Sequence, residues 1–197
     1  MHPQPPITTP ITADQATHLL RLYLKAKDEN RPHFMADAFD GEAEVDMVLH
    51  TGAISFPSRM QGLDAITNAL VRDFGRTYEN IYTFYLDKPD NTLTRNAFSC
   101  AWMVVMSEKV TGKVWAGCGR YDWEFQRRDR WLVRRLRITI AAMQTLPADK
   151  LPALLGWIHG VAYPWTNKEL VLAHMPDEPG LAPLRDYVRG LSVNAVL

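Results

Sequence analysis

The chain has 197 residues, 47% of them hydrophobic, and its 22 basic and 22 acidic residues cancel. That is enough apolar material for one sizeable core, and without a long charged block, electrostatic capture of nucleic acid or of an anionic membrane is excluded as the main task. No apolar run approaches the ~20 residues of a membrane-spanning helix, and residues 1–10 are Pro- and Thr-rich without the apolar stretch of a signal peptide, so a cytoplasmic protein is expected.

Residues 1–11 read as a disordered arm. Thr12 followed by Gln15 has the pattern of a capping box and predicts a helix over about 13–28. Ala16, Leu19, Leu20, Tyr23 and Lys27 lie on one stripe of it, four of the five apolar or aromatic. Residues 28–32 break that helix, and Pro32 suits the first turn of a second, ending near Phe39 before Asp40 and Gly41. Val45, Met47 and Leu49 alternate with Asp46, Val48 and His50, which predicts a strand over 45–50. A loop with Pro57 and Gly62 leads to a third helix over about 63–74, with Ile66, Ala69, Leu70 and Phe74 on its core stripe and Gly75 as its cap.

Four longer strands follow, over about 79–87, 97–107, 113–126 and 131–143. Asp90-Asn91, Thr111-Gly112 and Arg128-Asp129 separate them as turn signals, so the four should form an antiparallel meander. Residues 12–146 make one domain. Residues 147–197 form an extension with prolines at 147, 152, 164, 176, 179 and 183. Two short helices are expected there, over about 151–159 and 181–189. Leu151, Leu154, Leu155 and Ile158 share a stripe that must dock on the domain.

A two-residue turn at Thr111-Gly112 pairs Trp102 with Tyr121, Cys100 with Trp123 and Phe98 with Phe125, all on one face of the sheet. Met103, Val105, Cys118 and Arg120 fall on the other. The aromatic face is ordinary core, a subunit interface or the wall of a ligand site. The only cysteines, Cys100 and Cys118, lie on opposite faces, so no disulfide joins them, and they lack metal-ligand spacing.

Several stretches carry a family likeness. Tyr23-Leu24-Lys25-Ala26-Lys27-Asp28 is an aromatic followed by a small residue and an aspartate. Phe39-Asp40-Gly41-Glu42 enters the first strand, Gln61-Gly62-Leu63-Asp64 is a glycine-led start to the third helix, and Gly119-Arg120-Tyr121 through Trp131 lies in the last hairpin. In this order and spacing, over about residues 13–143, the chain resembles the SnoaL-like branch of the nuclear transport factor two-like superfamily. The resemblance implies an α+β fold: a cone-shaped, cystatin-like roll in which a curved antiparallel sheet packs against three N-terminal helices. The extension would then cover either the mouth of the cone or the outer face of the sheet. It also implies a small-molecule pocket and a homodimer paired through the open sheet.

The resemblance places candidate residues as well. Asp28 falls where dehydratase-like members keep a pocket aspartate; its other reading is a solvated helix terminus. Asp46 lies within one position of the base of steroid isomerase-like members. Arg120, or Tyr121 beside it, aligns with a polar pocket residue. Glu79 stands where dehydratase-like members carry histidine, and would act as base if desolvated. From the residues themselves, His50 closes the first strand and carries the imidazole best placed for acid-base work, and Tyr23 points inward from the apolar stripe. Asp28, His50, Glu79 and Arg120 are thus the catalytic candidates, and Tyr23, Asp46 and Tyr121 the ligand-binding ones. No cofactor motif or metal-ligand spacing is present. The expected function is a cofactor-free lyase, isomerase or cyclase acting by acid-base chemistry on a small, partly apolar carbonyl compound. The alternative is a non-catalytic ligand-binding or accessory domain.

Overall fold

In the computed structural model, which describes residues 9–91, 93 and 95–192, the chain folds as an α+β cone. Helix α1 (Ala13–Asp28) begins at the expected box: the Thr12 hydroxyl accepts from the Gln15 amide, and the Gln15 side chain accepts from the Thr12 amide. Most of the expected arm lies outside the described residues, but Ile11 is buried and its amide donates to the Asn96 side chain, so the chain is already docked there. A 3-10 turn with Pro32 at its start leads into the short helix α2 (Met35–Ala38). Strand β1 (Phe39–Leu49) starts six residues before the expected 45, directly after α2. A short strand, β2 (Arg59–Gln61), pairs with it. The third helical segment runs through α3 (Leu63–Thr67), a π-helical stretch (Asn68–Asp73) and α4 (Phe74–Thr77), so Gly75 lies inside the helix rather than capping it.

The meander is present as β3 (Tyr78–Tyr85), β4 (Ala97–Glu108), β5 (Val114–Arg127) and β6 (Trp131–Leu146). The sheet order is β2-β1-β6-β5-β4-β3, with β1 parallel to β6 and every other pair antiparallel. Bulges in the β5–β6 ladder at Cys118/Gly119 and Glu124/Phe125 bend the sheet. At the first of these, a Cβ on Gly119 would sit 1.8 Å from the Thr139 carbonyl oxygen, so only glycine fits.

The β4–β5 register differs from the expected one. Glu108 and Lys113 close a longer loop, which sets Cys100 opposite Tyr121, Phe98 opposite Trp123 and Trp102 opposite Gly119. The slip is two residues, so each side chain keeps its face. Cys100, Trp102, Tyr121, Trp123 and Phe125 pack inside the cone against α1–α4, while Met103, Val105 and Cys118 face outward, and both cysteines are free.

The extension covers that outer face. Helices α5 (Leu151–His159), α6 (Lys168–Ala173) and α7 (Ala182–Gly190) bring Leu154, Trp157, Ile158, Val171, Leu184 and Val188 against Phe84, Met103, Val105, Val114 and Leu146. Leu154 and Ile158 of the expected α5 stripe are buried, Leu151 and Leu155 are half-buried against the same core, and Trp157 is buried beside them. Between α5 and α6 the chain pairs with the end of β3: the Tyr85 amide donates to the Pro164 carbonyl (2.8 Å) and the Thr166 amide to the Tyr85 carbonyl (2.9 Å). The aromatic face is therefore interior, and the tail covers part of the opposite face, while Val48, Arg120 and Arg137 on that face stay exposed. Among the described residues no helix is long and apolar enough to cross a membrane.

Candidate functional site

The apolar stripe of α1 carries Leu20, Tyr23 and Lys27 into the cone at intervals of three and four residues. Lys27 is 6% exposed. Its ammonium would be costly there without partners, and it has two: the Asp28 carboxylate at 2.6 Å and the Thr83 hydroxyl at 2.8 Å. It also lies 4.9 Å from the centre of the Phe74 ring, a cation-π contact.

Asp28 closes α1, where the helix dipole disfavours a carboxylate, yet its side chain is 1% exposed. Four donors surround it. Oδ1 accepts from Lys27 and from the Thr83 hydroxyl (3.0 Å); Oδ2 accepts from the Thr83 backbone amide (2.7 Å) and from the Tyr163 hydroxyl (3.2 Å). β3 supplies Thr83 and the extension supplies Tyr163, so three separate parts of the chain converge on one carboxylate.

Lys27 and Thr83 form the polar end of a cavity of about 50 Å³. Tyr23 and Tyr121 line it beside them. The rest is apolar, with Met47, Leu70, Trp102, Val104, Ile138 and Met143 on the walls. Burial pushes the Tyr23 hydroxyl well above the usual phenol range; a hydrogen bond with Tyr121 opposes this, and the Asp28 charge adds to it. Burial raises Tyr121 likewise, with the neighbouring Tyr23, Tyr85 and Asp28 adding. Both phenols therefore stay protonated near neutral pH and act as neutral hydrogen-bonding groups. The Trp102 indole N–H is buried and has no hydrogen-bond partner among the described residues. Ile54, Phe56 and Phe74 close the cavity on one side, and the same three residues line an outer depression of about 360 Å³ with Pro57, Ala69 and Tyr78.

Of the residues singled out in the sequence, Tyr23, Asp28 and Tyr121 come together here. The other four do not. His50 is exposed beyond the end of β1, because its strand parity follows Asp46 and Val48 away from the core. Asp46 shares that outward parity and binds Arg135 through Oδ2, at 2.5 and 3.0 Å. Glu79 is exposed at the start of β3. Arg120 points out from β5, pairs with Asp122 at 2.9 Å and borders a groove against the extension, remote from the cone interior. Lys27, Thr83 and Tyr163 are site members not singled out from the sequence, and of these Lys27 carried a signal: a single charge on an otherwise apolar helical stripe. Among the described residues, no group of three or more His, Cys, Asp or Glu side chains is arranged to hold a metal ion.

No protein-family model matches the chain. No curated protein matches its sequence. Solved structures match its fold. A nuclear transport factor 2-like superfamily protein from Salmonella enterica serovar Typhimurium LT2 is 16% identical, with a TM-score of 0.53 over 66% of this chain and 91% of that one. Hexachlorocyclohexane dehydrochlorinase LinA-type3 from Novosphingobium barchaimii LL02 is 14% identical, with a TM-score of 0.53 over 68% of this chain and 90% of that one. A type 2 form of the same dehydrochlorinase aligns over 68% of this chain and 89% of its own length, at 14% identity and the same TM-score.

Proposed function

Taking the nuclear transport factor 2-like fold as premise, we propose that this protein binds a small, partly apolar carbonyl compound inside the cone and acts on it as a cofactor-free lyase, isomerase or cyclase. The observation that carries this reading is Lys27: a cation held inside an apolar cavity by Asp28 and Thr83, with a third N–H beyond those two bonds. A carbonyl oxygen in the cavity would accept from Lys27 and from the Tyr23 or Tyr121 hydroxyl. Negative charge developing on that oxygen, as a neighbouring carbon loses a proton or a leaving group departs, is stabilised by donors already in place. Lys27 passes a proton to that oxygen and the amine so formed takes the proton from the neighbouring carbon, so the ketone becomes its enol and the Lys27–Asp28 ion pair is restored.

A second reading is a non-catalytic ligand-binding or accessory domain. It is favoured by one observation: the lining contains neither a carboxylate nor an imidazole to take a proton from carbon. Hydrogen–deuterium exchange at the α-carbon of small ketones, followed by NMR with native protein and with Lys27→Met, separates the two. Protein-dependent exchange that Lys27→Met abolishes supports catalysis. Binding without exchange supports the second reading, and neither binding nor exchange sinks both.

A further inference from the structure

We infer that the inner cavity and the outer depression are two halves of one elongated site, gated by Ile54, Phe56 and Phe74, whose ligand is a neutral ketone or aldehyde with an apolar tail and not a carboxylate. This rests on the functional reading above and narrows it to a charge class and a shape.

The charge class follows from Asp28. Lys27 is the only formal charge among the cavity-lining residues, which on its own suggests an anion site. But Asp28 already neutralises it at 2.6 Å, and is itself out of water. A ligand carboxylate at Lys27 would leave two anions around one cation in an apolar enclosure, with one negative charge uncompensated. A neutral carbonyl oxygen takes the remaining N–H and leaves the pair balanced. The other groups agree. Tyr23 and Tyr121 are protonated phenols, and Trp102 offers a buried N–H with no partner among the described residues. The tyrosine pair, with one O–H spent on the bond between them, keeps one, and that hydroxyl and the indole N–H can donate to an acceptor that brings no charge.

The shape follows from the volumes. A cavity of about 50 Å³ holds only a few heavy atoms, well below the roughly 300 Å³ at which ordinary ligand pockets begin. The depression outside it, at about 360 Å³, reaches that range but has little chemistry: Asp73 is the one charged side chain among its described lining residues. The two share Ile54, Phe56 and Phe74, so only side chains divide them. Ile54 and Phe56 sit on the irregular loop between β1 and β2, and Phe74 follows the π-helical stretch. Rotation of these side chains joins the compartments. Phe74 also contacts the Lys27 head, so opening the gate and presenting the Lys27 donor involve the same ring.

The test is a binding series on the native chain. Straight-chain methyl ketones from acetone to methyl heptyl ketone, and the matching n-alkanoates, are titrated and followed by protein NMR. Ketone affinity is expected to rise about threefold to fourfold per methylene, the transfer value for a buried CH₂. Each alkanoate is expected to bind at least tenfold more weakly than the ketone of equal length. Phe56→Trp, which fills the gate, should flatten the rise, so that the ratio of methyl heptyl ketone affinity to acetone affinity falls toward one. Alkanoates binding as tightly as ketones would overturn the charge assignment. Ketone affinity that stops rising beyond the shortest members would overturn the two-compartment site. Either result leaves the functional reading standing if α-carbon exchange is seen. The predicted series without exchange supports this inference and removes catalysis.

Discussion

The Lys27 ammonium and the Asp28 carboxylate are neighbours in the chain, lie 2.6 Å apart, and are both withdrawn from solvent at the end of α1. Consecutive helical residues ordinarily diverge by about 100° around the axis. Here they meet because Thr83 on β3 bonds to both, so the pair closes the gap between helix and sheet. Removing one partner strands the other. Asp28→Ala should lower stability by roughly 3–5 kcal/mol, the cost of leaving a buried charge unpaired, measured by urea denaturation. Lys27→Met should cost less, because the Asp28 carboxylate keeps three donors and methionine suits the apolar wall. Equal losses in the two variants would contradict this account.

Tyr163 is the extension's contribution to that cluster. Its hydroxyl donates to Asp28 Oδ2, and burial together with the Asp28 charge holds its pKa far above the usual phenol value. Tyr163→Phe should remove about 1 kcal/mol, typical of one hydrogen bond. It should also move the Lys27 Nζ resonance, because it loosens the carboxylate that positions the ammonium. An unchanged Lys27 signal would show that the extension does not reach the cavity chemically.

The extension should also be indispensable to the fold. Leu184 is fully buried against the outer sheet face, and Leu184→Ala is expected to cost 2–5 kcal/mol in thermal or urea unfolding, as for other buried leucines. Deleting residues 147–197 uncovers Phe84, Met103, Val105 and Leu146 together. The truncated protein should bind hydrophobic dyes and lose solubility. A truncation that stays soluble, with an unchanged melting temperature and oligomeric state, would make the extension a dispensable arm.

Stability should fall at alkaline pH. Burial pushes the Cys118 thiol from its usual 9.0 up to about 12, and Tyr187, whose hydroxyl donates to the Gly119 carbonyl, from 10.0 to about 12. Between pH 9 and 12 the unfolded chain has released these protons and the folded chain keeps them. Raising pH through that window therefore favours unfolding, while below pH 9 both states hold the protons and the full stability remains. Urea midpoints that are flat from pH 8 to 11 would contradict this. By the same reasoning both thiols should resist alkylation at pH 8 until the protein unfolds.

Gly119→Ala should be among the most damaging small substitutions. The added methyl would meet the Thr139 carbonyl oxygen at 1.8 Å and the Trp102 ring at 3.0 Å, so both the bulge and a cavity wall must shift. Loss of at least 2 kcal/mol is expected, in the range of overpacked cores. The same alanine placed at Gly156, which has open space around it, should be near neutral or stabilising.

The local sequence determined the elements and their faces. The Thr12–Gln15 box starts α1, turn residues separate the meander, and strand alternation assigns the two cysteines to opposite sides. Such features depend on neighbours a few residues apart, and side-chain parity survives even a two-residue slip between β4 and β5. The stripe of α1 likewise carried Lys27 inward among apolar residues. Tertiary structure decided the rest. Whether His50, Asp46, Glu79 and Arg120 meet a cavity depends on which sheet face curls inward and on what covers the other, and that is set by bulges and by the docked extension. Asp28 becomes a buried carboxylate only because Thr83, 55 residues away, and Tyr163, 135 residues away, arrive with donors. No local pattern around residue 28 encodes those partners, and burial of a charge is affordable only once they are in place.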